Sequence, residues 1–128
     1  MTYLLDTHTF LWILDAPQSI PAIVKRICED RSSVLALSIV TPWEMAIKGA
    51  LGKLDADQLL DNFENLLSRG DYTLLETTIP HVIRSGRLPS FHRDPFDRLL
   101  AAQALELRIP ILSRDRVFDL YGVKRIWN

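Results

Sequence analysis

One cysteine, five glycines and no long apolar run mark what this 128-residue chain does without. A single thiol, Cys28, forms no intramolecular disulfide, so the fold must rest on packing and suits a reducing, cytoplasmic setting. The longest uncharged run, Ser32 to Trp43, falls short of the roughly 18 apolar residues of a membrane-spanning helix, so no membrane association is expected. Asp6 interrupts the N-terminal apolar stretch and no basic residue precedes it, so no secretory leader is expected either. A net charge of −1 withholds the overall basic excess that marks many nucleic-acid binders. What remains is ordinary globular composition, 48% hydrophobic and 24% charged, at a length that fits one domain over residues 1–128.

Along the chain, short apolar runs alternate with helical periodicity. Thr2–Leu5, Val34–Ser38, Thr73–Glu76, Ile109–Leu112 and Lys124–Trp127 read as strands. Helices are expected over His8–Leu14, Pro21–Asp30, Thr41–Ala50, Asp57–Arg69, Pro80–Gly86 and Phe96–Arg108, with Arg87–Arg93 as the one extended loop. Strands alternating with helices of these lengths imply βαβ crossovers. The expected fold is therefore α/β, a three-layer α/β/α sandwich around a central, mostly parallel sheet.

Four acidic residues fall where strands give way to helices: Asp6, Glu44, Asp97 and Asp115. In a parallel sheet the strand C-ends and helix N-termini share one edge, so the four are expected to converge on one crevice. Converging carboxylates repel and raise one another's pKa unless a cation sits among them, and a hard dication such as Mg²⁺ is the usual solution. A simpler role exists for each. Thr41-Pro42-Trp43-Glu44 fits a capping box, Asp94-Pro95-Phe96-Asp97 has the same layout, Asp6 fits a cap near His8, and Asp115 fits a cap of the Arg116–Leu120 turn. Spacing alone leaves both readings open.

Charge is unevenly distributed around these positions. Neutralising four carboxylates would turn the net charge from −1 to +3. Lys48, Arg93, Arg98, Arg114 and Arg116 all lie near a candidate ligand in sequence and are candidate phosphate contacts, although solvated surface charge explains any one of them as well. Ser113 precedes Asp115 by two residues, where its hydroxyl fits a turn hydrogen bond, and Thr7 follows Asp6 directly. His8, His81 and His92 have no second His or Cys at metal-ligand spacing. Trp12, Trp43 and Phe96 sit among apolar neighbours and read as core.

Four segments then carry a resemblance: Tyr3-Leu4-Leu5-Asp6-Thr7-His8; Trp43-Glu44-Met45-Ala46-Ile47-Lys48 with Leu51-Gly52-Lys53-Leu54; His92-Arg93-Asp94-Pro95-Phe96-Asp97-Arg98-Leu99-Leu100-Ala101-Ala102-Gln103-Ala104; and Leu112-Ser113-Arg114-Asp115. In this order they make the chain similar to PIN-domain ribonucleases of the VapC toxin type, nearly end to end. The resemblance implies a Mg²⁺-dependent endoribonuclease, with Mn²⁺ as a plausible substitute. It implies that Asp6, Glu44, Asp97 and Asp115 are the acidic quartet and that Ser113 and Thr7 support it. It also implies an RNA substrate, inhibition by a cognate antitoxin, and a homodimer. The alternative expectation is a catalytically inactive PIN-like module that binds RNA or protein.

Overall fold

A computed structural model describes residues 1–128. β1 (Thr2–Leu5), β2 (Val34–Ser38), β3 (Thr73–Leu75), β4 (Ile111–Leu112) and β5 (Arg125–Ile126) form one sheet in the order β3-β2-β1-β4-β5. Every neighbouring pair runs parallel, so the expected mostly parallel sheet is parallel throughout. The helices are α1 (Thr7–Asp15), α2 (Ala22–Glu29), α3 (Val40–Ala50), α4 (Asp57–Asp61), α5 (Phe63–Ser68), α6 (Ile79–Arg87), α7 (Pro95–Leu107) and α8 (Val117–Leu120).

The period-two alternation of strand side chains creates two cores. Leu4, Ala36 and Ile111 pack against Leu100, Ala101 and Ala104 of α7 and Phe118 of α8. Leu5, Leu35, Leu37 and Leu112 point the other way, onto Phe10, Val24, Met45 and Phe63 from α1, α2, α3 and α5. The sheet is thus buried on both faces, which is why its strands read as unbroken apolar runs.

Connectivity fixes where a ligand fits. The chain steps outward from β1 to β2 to β3, then returns past β1 to β4 and β5 on its far side. Right-handed crossovers in opposite directions place their helices on opposite faces, as α1–α2 and α7 are placed here. Between β1 and β4 the helices diverge, and a crevice opens beyond the strand C-ends. Asp6 and Ser113 are the first residues past those two strands.

Several boundaries differ from the expectation. The Asp57–Arg69 helix is broken at Asn62, whose side-chain amide donates to the Gln58 carbonyl 2.9 Å away and competes with the helical ladder. β4 begins only at Ile111 because Pro110 has no N–H for a ladder; its carbonyl still accepts from Leu4 N at 2.9 Å. Arg108 ends α7 in the left-handed region with φ 54°, a position that glycine or asparagine more often fills.

Candidate functional site

Asp6 leaves β1 and immediately caps α1, accepting the Thr9 amide at 2.7 Å. Its second oxygen accepts from the Ser113 hydroxyl across the β1–β4 gap. The expected capping role is therefore real, yet it occupies only one oxygen. Asp6 is 5% exposed, and burial raises its carboxyl pKa against the lowering effect of the Ser113 and Thr9 hydrogen bonds. Ser113 does more than close a turn: its oxygen also accepts the Asp115 amide at 3.0 Å, so one buried hydroxyl ties β1, β4 and the following turn together.

The capping box expected at Thr41–Glu44 does not form. The Ser38 hydroxyl accepts the Val40 amide at 3.0 Å and starts α3 early, which moves Thr41 and Glu44 past the N-terminus and onto the inner face. Pro42 still falls in the first turn, where its missing N–H costs nothing. Glu44 is 2% exposed; one oxygen accepts from Thr7 Oγ1 at 2.6 Å and the other pairs with the Lys48 ammonium. Thr7 Oγ1 lies 3.1 Å from Thr41 Oγ1, so Thr7 supports Glu44 rather than facing the crevice. Partial burial works against the Lys48 charge, but Glu44, with Asp94 and Asp97 beyond it, more than offsets this and raises its pKa.

Asp94 is the N-cap of α7, accepting Phe96 N at 2.9 Å and Asp97 N at 3.3 Å, with Pro95 next. Asp97 does not complete a capping box. Its Oδ2 faces His92 Nε2 at 3.0 Å instead. Burial, then Asp94, Glu44 and Asp115, push its carboxyl up to about 6 against the pull of His92. That repulsion means the structure brings Asp97, Glu44 and Asp115 into one electrostatic neighbourhood. Asp115 is exposed and accepts Val117 N at 3.0 Å in a local turn, whereas the N-cap of α8 is Arg116 with no side-chain cap bond, so the expected helix cap does not form. Together with Asp6, Asp115 lines a cleft of about 410 Å³ with His8, Trp12, Arg114 and Arg116. His92, Asp94 and Asp97 alone bring ligand atoms within 4.8 Å of one another; the four candidate ligands are spread more widely.

The basic residues divide. Arg93, Arg114 and Arg116 are exposed and have no ion-pair partner. Arg98 turns inward: its guanidinium donates to the carbonyls of Ser85, Leu88, Pro89 and His92, which spends its donors on bracing the 85–92 segment. Lys48 is likewise engaged by Glu44. Trp43 departs from its core expectation, being 48% exposed, with its ring centroid 4.7 Å from that of Phe96 and the two rings near perpendicular. Sequence pattern does not reveal His92 as the partner of Asp97, because a folded-back loop makes the contact and leaves no periodic trace.

The PIN domain model matches residues 3–124 of this chain. The chain belongs to the PIN domain family. Solved structures similar to this PIN domain include VapBC2 from Rickettsia felis bound to a DNA fragment from their promoter, with a TM-score of 0.73 at 17% identity over 100% of both chains. DNA-bound VapBC from Salmonella typhimurium has a TM-score of 0.71 at 19% identity, over 98% of this chain and 97% of that one. FitAcB from Neisseria gonorrhoeae has a TM-score of 0.69 at 21% identity, over 100% of this chain and 97% of that one. At such identities the likeness concerns the fold. Comparison with curated proteins finds no significant match.

Proposed function

We propose that this PIN domain is a VapC-type toxin, a Mg²⁺-dependent endoribonuclease that cleaves RNA phosphodiester bonds in the cytoplasm and is restrained by a cognate antitoxin. One observation carries the catalytic reading. Asp97 is held near a pKa of 6, first by burial and then by Asp94, Glu44 and Asp115, the combination of desolvation and neighbouring charge in a crevice that marks candidate functional sites. The donor set is carboxylate oxygen throughout, which suits Mg²⁺ or Mn²⁺ and not a thiolate-seeking metal. Its spread suits Mg²⁺ as well, because that ion keeps several waters and needs only one or two direct carboxylates.

In this reading Asp6, Glu44, Asp97 and Asp115 hold the ion. When bound, a dication would neutralise the cluster, lower the pKa of a water toward neutrality and offset charge on the phosphate. The protein's own groups set the geometry. Ser113 fixes Asp6 Oδ2, Thr7 fixes Glu44 Oε1, and the His92 ring holds Asp97 Oδ2 at 3.0 Å. Exposed Arg93, Arg114 and Arg116 draw the phosphate chain toward the crevice. The antitoxin partner rests on the VapBC complexes among the similar structures, and a homodimer is part of the same proposal. The deciding experiment incubates purified protein with total RNA in Mg²⁺ and in EDTA, with and without the product of a neighbouring gene. Cleavage in Mg²⁺ alone, suppressed by that product, is expected; EDTA-resistant cleavage or none in any divalent metal overturns the proposal.

A further inference from the structure

Beside the acidic cleft lies a second one of about 370 Å³, lined by Arg114, Arg116, Arg125, Trp127 and Asn128, with no carboxylate side chain in its wall. Arg114 and Arg116 line both clefts, so the two adjoin along these residues. Each cleft also carries one tryptophan, Trp12 in the first and Trp127 in the second, and the two rings lie 5.7 Å apart at 52°. The path out of the acidic centre is therefore flanked by guanidinium groups and by indole rings. Arg125 is the fixed element of this wall: its Nε and Nη2 hold Asp119 at 3.0 and 3.1 Å while Nη1 donates to the Ser113 carbonyl at 3.2 Å. It braces the turn from which Arg114 and Arg116 project with their charges unpaired.

We infer that this second cleft is the subsite for the single-stranded nucleotides next to the scissile phosphate, with Arg114 and Arg116 on their phosphates and Trp127 stacked on a base. The inference rests on the nuclease reading for the identity of the neighbouring centre. Guanidinium groups match phosphate oxygens in a planar, bidentate way. Aromatic faces beside a cationic track are the recurring means of holding single strands. A duplex has its bases stacked internally and presents no free face to Trp127. An acidic peptide satisfies the arginines and leaves the indole unused.

The test measures binding by fluorescence anisotropy of a labelled, 2′-O-methylated single-stranded octanucleotide, which resists cleavage, across a salt series in EDTA. Parent protein is compared with Arg114→Ala, Arg116→Ala, Trp127→Phe and Trp127→Leu. Each arginine variant is expected to flatten the slope of log affinity against log salt by about 0.7, the value for one phosphate of a single strand. Trp127→Leu is expected to weaken binding roughly tenfold with the slope unchanged, and Trp127→Phe to retain most of it. Because Arg114 and Arg116 are exposed, their slopes still test the inference if Trp127→Leu fails to fold. Unchanged slopes in both arginine variants, equal binding of the blunt duplex, or equal competition by oligoglutamate each overturn the inference. Loss of the nuclease reading is seen separately, as absence of Mg²⁺-dependent cleavage in a protein that still shows the slope changes.

Discussion

Glu44 illustrates what single residues do here. Its two oxygens already have partners, Thr7 and Lys48, so the Lys48 ammonium acts as the internal cation of a cluster that otherwise repels itself. Glu44→Gln keeps an acceptor for Thr7 and removes the charge. Activity should fall roughly 100-fold or more, beyond the 10–100-fold typical of residues that only orient ligands, and Asp97→Asn should behave alike. Asp94→Asn keeps a good N-cap and should retain most activity in the same cleavage assay. Parental rates in Glu44→Gln and Asp97→Asn would remove both from the catalytic set. Lys48→Met should lower the melting temperature in EDTA yet tighten Mg²⁺ binding by calorimetry, because the ion no longer competes with an ammonium for Glu44. An unchanged dissociation constant would assign Lys48 to the helix surface. The four acids are legible at this scale because each sits beside a strand end or turn residue in the sequence. The capping box that the sequence suggests at Glu44 is absent because α3 already begins at Val40, with Ile39 as its N-cap, so Thr41 lies inside the helix.

At the scale of elements, polar contacts decide how strand ends meet helices. Gln103 is the one polar side chain on the buried face of α7, fully enclosed and bonded to Ser38 Oγ at 2.6 Å and to the Glu76 carbonyl at 3.3 Å. It pins α7 to the ends of β2 and β3, the same edge that carries the acidic cleft. Gln103→Leu strands the Ser38 hydroxyl proton and the Glu76 carbonyl, which should cost about 1–3 kcal/mol in urea unfolding. A smaller loss would mean that water takes over these bonds. Sheet and helices are readable from period-two and helical patterns. The Asn62 break, the bracing of the 85–92 segment by Arg98 and that of the 113–114 turn by Arg125 are not, since each is a side chain reaching a backbone group far from any repeat.

Over the whole molecule, the acidic centre and the stability of the fold should be linked through protons and metal. Asp97 titrates near 6 in the folded protein against an ordinary 3.8, so between these values the folded state holds more protons than the unfolded one. Without metal, its contribution therefore makes the protein more stable as pH falls from 7 through 6 toward 4. At about 1.4 kcal/mol per pKa unit this is on the order of 2–3 kcal/mol. Asp6, also raised by burial, adds in the same direction. Mg²⁺ reverses the sign. A carboxylate that holds the ion stays ionised in the folded state, its folded pKa drops below the unfolded one, and stability is lost as the pH falls through it. Near pH 7, where the ion binds, saturating Mg²⁺ should raise the melting temperature; at 100 times its dissociation constant this linkage is worth about 2.7 kcal/mol. Other carboxylates contribute a common background, so the comparison is between parent and Asp97→Asn, in EDTA and in Mg²⁺, by urea unfolding from pH 4 to 7. The difference between the two proteins should slope one way in EDTA and the opposite way in Mg²⁺. Parallel difference curves in the two conditions would mean that Asp97 does not hold the ion.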